Sequence, residues 1–263
     1  MKDGAIAFLD ALGFKGIWRD KDPQQVLQKL RAIEGEAQRK LLPAAAETDL
    51  SLRFFSDTVI ICAESSNVRL PPELAAYRCL LRVTAAAAQI ASVAAAQPPP
   101  PLAFRGAISC GKFEVTEKFL IGPAVDEAAE AEKLAQGALV WFCPTALEVL
   151  RVVSQYAEDN PGVAPSPAQF RMMVPAMPYP LPLKGGDIFE TWVVNPLAMA
   201  EHAQPVGDGI LAAMNAPGLN VAIKRQNTSA FLVAALEDRR KILEQIVRLV
   251  SQRKPGGSAA GAD

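Results

Sequence analysis

Two apolar runs, Leu50 to Phe55 and Val59 to Ala63, are separated only by Ser56-Asp57-Thr58. Short runs rich in strand-forming residues, joined by so few polar ones, read as a hairpin. A third run near the start, Ala7-Phe8-Leu9-Asp10, has the same character and also ends on a carboxylate. Neither aspartate has a basic residue beside it in the sequence. A carboxylate at the end of a buried strand is rigidly held yet faces outward, and two on neighbouring strands can hold hard divalent cations through oxygen. An aspartate beside a turn also stabilises the turn by itself, so the pair, and not either residue alone, carries the reading.

Around these strands the elements alternate. Gly4 to Leu9 is expected as the first strand, with Gly13 and Gly16 allowing a tight turn behind Asp10. Asp22 caps and Pro23 opens a helix whose buried stripe is Val26, Leu27, Leu30, Ile33, Ala37 and Leu41. A long helix over 72–96 is stopped by Pro98 to Pro101. Further strands are expected at 102–109, 113–115, 119–121, 138–143 and 188–195, with helices at 123–136, capped by Gly137, and at 144–155. Residues 156–182, dense in proline, read as an irregular excursion with one strand at 170–174. Beyond 196, an amphipathic helix is expected at 229–252, and 255–263 reads as a flexible tail. Strands alternating with helices around one hairpin imply an α+β or α/β sandwich.

Composition narrows the function. Half of the 263 residues are hydrophobic, enough for a substantial core, and the net charge of −1 argues against nucleic acid or an anionic membrane as partner. Cys62, Cys79, Cys110 and Cys143 lie scattered in apolar runs without metal-ligand spacing, which reads as buried hydrophobes in a reducing compartment. The start has no secretory pattern, and Ala-rich 85–96 contains Gln and Ser, so no run is expected to span a membrane and a soluble cytoplasmic protein is expected. His202, the single histidine, is expected at the surface.

Phe8-x-Asp10-x-x-Gly13-Phe14, then Ser56-Asp57 on a hairpin, then Arg105-Gly106-Ala107-Ile108-Ser109-Cys110-Gly111, resembles the class III nucleotidyl cyclase domain in order and spacing. Ile121 to Ala128 and Leu183-Lys184-Gly185 look like its later landmarks, and the resemblance covers residues 4 to 196. It implies a catalytic domain over 1–196 with the ferredoxin-like cyclase fold, a mixed sheet covered by helices, and a C-terminal extension over 197–254 that adds a helix.

The resemblance further implies two magnesium or manganese ions held by Asp10 and Asp57, with Ala11 beside the first. The ribose 3′ oxygen of a nucleoside triphosphate would attack the α-phosphorus, with pyrophosphate leaving. Lys184 matches a lysine that reaches the triphosphate from the partner subunit of a homodimer with shared sites; its other reading is a solvated lysine before a turn. Arg105 would contact phosphate or form a salt bridge at its strand. Backbone donors of Leu12, Gly13 and Phe14, with Lys15, would cradle the β and γ phosphates, and Ser56 would lie beside the substrate.

Departures from the pattern bear on specificity. Asp126 and Glu130 replace the asparagine that orients the ribose and the arginine that stabilises charge on phosphate. Pro123 and Arg53 stand where adenylate cyclases read the base. Arg53 lies four residues before Asp57, and strand alternation would set both on one face. Its donors suit the carbonyls of uracil or O2 of cytosine. The chain thus resembles the bacterial pyrimidine cyclases of the Pycsar antiphage systems, which make cyclic UMP or cyclic CMP for a downstream effector. UTP is the expected substrate, with CTP close behind. Two other readings are a degenerate domain that binds nucleotide without turnover and a different metal-dependent phosphoryl transferase.

Overall fold

In the computed structural model, residues 1–14, 22–41, 48–65, 70–96, 99–162, 169, 172–215 and 219–252 are described. Among the described residues, eight strands form a single sheet: β1 (Lys2–Leu12), β2 (Thr48–Phe55), β3 (Thr58–Ser65), β4 (Ala103–Val115), β5 (Leu120–Ile121), β6 (Val140–Phe142), β7 (Ala176–Pro182) and β8 (Ile188–Val194). Helices α1 (Pro23–Leu41), α2 (Pro72–Ala95), α3 (Pro123–Ala131), α4 (Pro144–Asp159), α5 (Ala203–Ala212) and α6 (Leu219–Gln252) cover it. The strand order is β2-β3-β1-β4-β6-β8-β7, with β5 paired to β4. Only β4–β6 is parallel, so the sheet is mixed. The succession β1-α1-β2-β3-α2-β4, with β1 antiparallel to both β3 and β4, is the ferredoxin-like βαββαβ unit. This is the α+β architecture expected from the sequence, with its added C-terminal helix.

Period-two alternation divides β1 between two cores. Ala5, Ala7, Leu9 and Ala11 face α1, α2 and α4, packing with Val26, Leu80, Val83, Ile90 and Leu150. Ile6 faces the other way and packs with Ile60, Cys62 and Phe113 beneath Ala124, Val125 and Ala128 of α3. Farther along that second face, Ala107, Trp141 and Val193 lie under Phe231, Leu232 and Ala235 of α6. The second face therefore has two covers, α3 and α6. Asp10 belongs to this face by alternation.

Several elements differ from expectation for physical reasons. The helix expected over 123–136 stops at Ala131, and Gly137 does not cap it. Residues 134–136 instead join the β7–β8 hairpin: Lys184 N donates to Leu134 O (2.8 Å), Gln136 N to Pro182 O (2.9 Å), and Ala135 bridges to Leu183. The strand expected at 170–174 begins later, at Ala176; Met172 and Met173 are helical, while Phe170 and Arg171 fall outside the described residues. Much of the supposed irregular excursion is regular structure, since α4 reaches Asp159 and β7 ends at Pro182. Proline lacks an N–H, but Pro178, Pro180 and Pro182 alternate, so all three missing donors lie on the edge away from β8.

The helix α2 is long and apolar enough to cross a bilayer, contrary to the sequence expectation, but 72% of its most apolar window is buried inside the fold. In α1 the cap is as expected, with Gln24 N donating to Asp22 Oδ1 (3.0 Å). Leu27, expected in the buried stripe, is exposed, and Lys29 is buried instead. All four cysteines are free and buried, and burial pushes the Cys62 and Cys79 thiols up to about 12. The tail over 255–263 lies outside the described residues.

Candidate active site

Register builds the site. Asp10 lies opposite Thr58 of β3 on one side and opposite Arg105 of β4 on the other. Strand neighbours in register share a face, so the Arg105 guanidinium meets the Asp10 carboxylate, Nη2 to Oδ2 at 2.9 Å. β4 reaches this close to β1 because position 106 is glycine: a Cβ there would fall 2.1 Å from Phe8 O. Arg105 lies within β4 and makes the salt bridge, the second of its two sequence readings.

Asp57 occupies the turn beyond. Phe55 pairs with Thr58, leaving Ser56-Asp57 as a two-residue connection. Ser56 has φ +56, a conformation that a non-glycine residue adopts at a cost of roughly 1 kcal/mol or more. Asp57 O accepts from Ala11 N at 2.8 Å, which locks the turn to the end of β1. The two aspartates thus belong to adjacent backbone segments at one end of the sheet, and the Asp57 carboxylate is half-exposed.

Further charges converge beside Asp10. Glu132, the residue after α3, is 8% exposed, and its Oε1 stands 3.6 Å from Arg105 Nη2, beyond hydrogen-bond reach. Burial first, and then the negative field of Asp10, raise its carboxyl above the ordinary glutamate range, opposed by Arg105. Lys184 follows β7, and its ammonium is lowered chiefly by desolvation and then by the like charges of Arg105 and Lys224, against the pull of Glu132 and Asp10. Lys184, expected to serve a partner's site, therefore stands within the electrostatic reach of Asp10 in its own chain. The reason is the 134–136 connection, which fastens the β7–β8 turn to the end of α3.

Glu132 and Lys224 were not read from the sequence. Glu132 was hidden within an expected helix, and Lys224 lies in the extension, where the resemblance gives no guide.

Other expected site residues are placed differently. The Arg53 guanidinium donates to the carbonyls of Thr116 and Glu117 in the β4–β5 turn. β2 ends at Phe55, so the alternation expected to align Arg53 with Asp57 stops before Asp57. Asp126 and Glu130 are exposed on α3; their neighbour Glu127 instead accepts from Ser109 Oγ (2.5 Å) and Thr145 Oγ1. Leu12 ends β1 opposite Ala103, and Gly13 turns the chain at φ +75. Phe14 is buried in the core and its N–H donates to Ala11 O (3.4 Å), so that donor is turned toward the chain itself. Lys15 lies outside the described residues, and His202 is exposed as expected.

The donor set suits a hard divalent ion. Among the described residues no cluster of three or more histidine, cysteine or acidic side chains forms a protein cage. Magnesium is commonly held by one or two carboxylates and completed by water and substrate phosphate, which is what Asp10 and Asp57 offer. Ala11 could join only through its carbonyl, which already accepts from Phe14.

No family model matches the chain, and no curated protein matches it. Among solved structures, it is similar to the catalytic core of a rhodopsin-guanylyl cyclase with converted specificity, in complex with ATPalphaS, at 12% identity over 73% of this chain and 95% of that one, TM-score 0.46. It is also similar to the adenylyl cyclase CyaB from P. aeruginosa (14% identity, 73% and 93% coverage, TM-score 0.46). A guanylyl cyclase gives 16% identity, 74% and 92% coverage, and a TM-score of 0.44. Overlaps of this size do not assign an activity.

Proposed function

We propose that the chain is a nucleotidyl cyclase that converts a pyrimidine nucleoside triphosphate, UTP before CTP, to its 3′,5′-cyclic monophosphate and pyrophosphate. One observation supports the reading: Asp10 lies two residues before the end of the inner strand β1, and Asp57 sits in the turn hydrogen-bonded through its carbonyl to the next residue of that strand. We read the two carboxylates as hard oxygen ligands that work together, with Arg105 paired to Asp10 and Lys184 as a second cation. Asp10 and Asp57 would hold two magnesium or manganese ions, which when bound supply charge stabilisation at the reacting phosphate. The chain's cations act on the other oxygens: Arg105 offers a planar fork of donors and Lys184 a mobile point charge for the leaving pyrophosphate.

The base preference rests on Arg53, whose donors match uracil's two carbonyls better than adenine's amino group. To read a base, its guanidinium must leave the Thr116 and Glu117 carbonyls. We place the protein in the cytoplasm as a second-messenger generator in antiphage defence, feeding an effector that responds to the cyclic nucleotide. A homodimer is the proposed state. Leu236, Leu243 and Ile246, exposed at helical spacing on α6, offer an apolar stripe for a second copy.

Incubating the protein with each of the four nucleoside triphosphates and manganese, then resolving products by mass, tests the reading. Cyclic UMP or cyclic CMP should dominate, and Asp57→Ala should reduce formation at least a hundredfold with the melting temperature of the metal-free protein unchanged or raised. Dominant cyclic AMP or cyclic GMP would overturn the base assignment. A second reading, nucleotide binding without turnover, is favoured by the exposed acids Asp126 and Glu130 on α3. Retained nucleotide with no cyclic product would establish it.

A further inference from the structure

Just past the end of α3 stands an acid that its own contacts do not explain. Glu132 is 8% exposed, and its Oε1 is buried with no hydrogen-bond partner. Buried polar atoms in folded proteins are nearly always paired, and leaving one that belongs to a charged group unpaired is especially unfavourable. Arg105 lies next to it: Nη2 stands 3.6 Å from Glu132 Oε1 and donates to Asp10 Oδ2 at 2.9 Å. The guanidinium is itself incompletely used, because Arg105 Nε is also buried without a partner. Nε and Nη2 share one edge of the guanidinium and present two parallel N–H groups, the fork that a carboxylate fits with both oxygens. Both main chains are fixed. Arg105 is paired with Asp10 across β1 and β4, Glu132 N donates to Ala128 O (3.0 Å), and Lys184 N donates to Leu134 O (2.8 Å) two residues on. The side chains are left to move, and a shift of about 1 Å brings Nη2 into hydrogen-bond range of Glu132.

We infer that Glu132 is a positioning residue that takes the Arg105 guanidinium from Asp10 when Asp10 engages a divalent cation. The inference rests on the reading of Asp10 as a metal ligand and not on which nucleotide is used. In the metal-free protein Arg105 covers Oδ2, one of the two oxygens that Asp10 can offer. A guanidinium does not give up its proton, and a doubly charged cation at Asp10 repels it, so it leaves Asp10 with its charge intact. A buried charge deprived of its partner is strongly destabilising. Glu132 removes that penalty, because its carboxylate gains the fork of charge-assisted bonds as Asp10 gives one up. The unpaired Oε1 and Nε of the metal-free protein are the two atoms that this transfer satisfies. It also leaves the Nη1 side of Arg105 for a phosphate oxygen.

The probe is manganese, titrated into the full chain without nucleotide and followed by the paramagnetic resonance of the free ion. Wild type should bind it and Asp10→Asn should bind it far more weakly. Glu132→Gln keeps the shape of the side chain but offers Arg105 only a neutral acceptor. It should weaken manganese binding about tenfold, the difference between a charge-assisted and a neutral hydrogen bond. In an Arg105→Gln background no guanidinium has to be moved, and the same Glu132→Gln change should alter the affinity by less than about twofold. A tenfold loss that persists without Arg105 means that Glu132 acts on the ion directly, and it overturns the inference. Unchanged manganese affinity in Glu132→Gln overturns it too, whatever the thermal midpoint does, since a merely structural counter-ion would move the midpoint alone. In both cases Asp10 stands as a ligand. If wild type and Asp10→Asn bind manganese alike, or not at all, the reading of Asp10 as a ligand falls and takes the inference with it.

Discussion

At the C-terminus of α2 the last-turn carbonyls have no helical donor left to meet. Lys29 reaches across from α1 to take two of them, Nζ to Val93 O (3.1 Å) and to Ala96 O (2.5 Å). The side chain is fully buried, and desolvation lowers its ammonium to about 8. The unfolded chain regains an ordinary lysine, so between pH 8 and 10.5 the unfolded state binds the extra proton and stability rises with pH there. Urea melts across that window should show a rising component of about 1.4 kcal/mol per pH unit that Lys29→Met lacks; identical slopes would refute the assignment. Residues of this kind mark the limit of reading a sequence. The places of Asp10 and Asp57 in the fold were legible because one lies near the end of an apolar strand and the other in the turn between two such strands, which local pattern alone encodes. Lys29, Glu132 and the engagement of Arg53 with the 116–117 turn depend on partners from distant parts of the chain, and no local spacing encodes them.

Among the elements, the hairpin, α2 and the strands flanking Asp10 were legible from apolar runs and their breakers. What the sequence obscured was the 132–139 connection and β7. Helix propensity favours continuing α3 through Glu132, Lys133 and Leu134, but hydrogen bonds from the β7–β8 hairpin claim that backbone and end the helix early. The prolines of β7 argue against a strand only while its place in the sheet is unknown; at the edge they cost no ladder bond. The contact that matters most to the site is β1 against β4 at Gly106. An added methyl there would meet Phe8 O at 2.1 Å and Leu9 Cδ2 at 2.9 Å, and the first of these is backbone that cannot rotate aside. Gly106→Ala should therefore destabilise the fold by about 3 kcal/mol, the upper end of overpacking, and separate Arg105 from Asp10. Denaturant unfolding of the variant checks this, and a loss under 1 kcal/mol would mean that the strands part without strain.

Over the whole molecule, the sheet's second face is shared between α3 and α6, and Asp10, Arg105 and Glu132 meet at that face. The resemblance gives Lys184 to a partner's site, while within its own chain Asp10 also acts on its charge. The two arrangements differ in what mixed subunits do. Consider a dimer of one Asp57→Ala chain and one Lys184→Ala chain. With sites built within single chains, one site lacks Asp57 and the other lacks Lys184, so none is intact. With shared sites, both defects fall in one site and the other is whole. Equal mixing with free exchange makes half of the dimers mixed, and about a quarter of wild-type activity returns. The single-chain arrangement predicts that the mixture stays at the level of the separate variants, provided exchange is demonstrated with differently tagged chains. Recovery toward a quarter would place Lys184 in the partner's site during turnover.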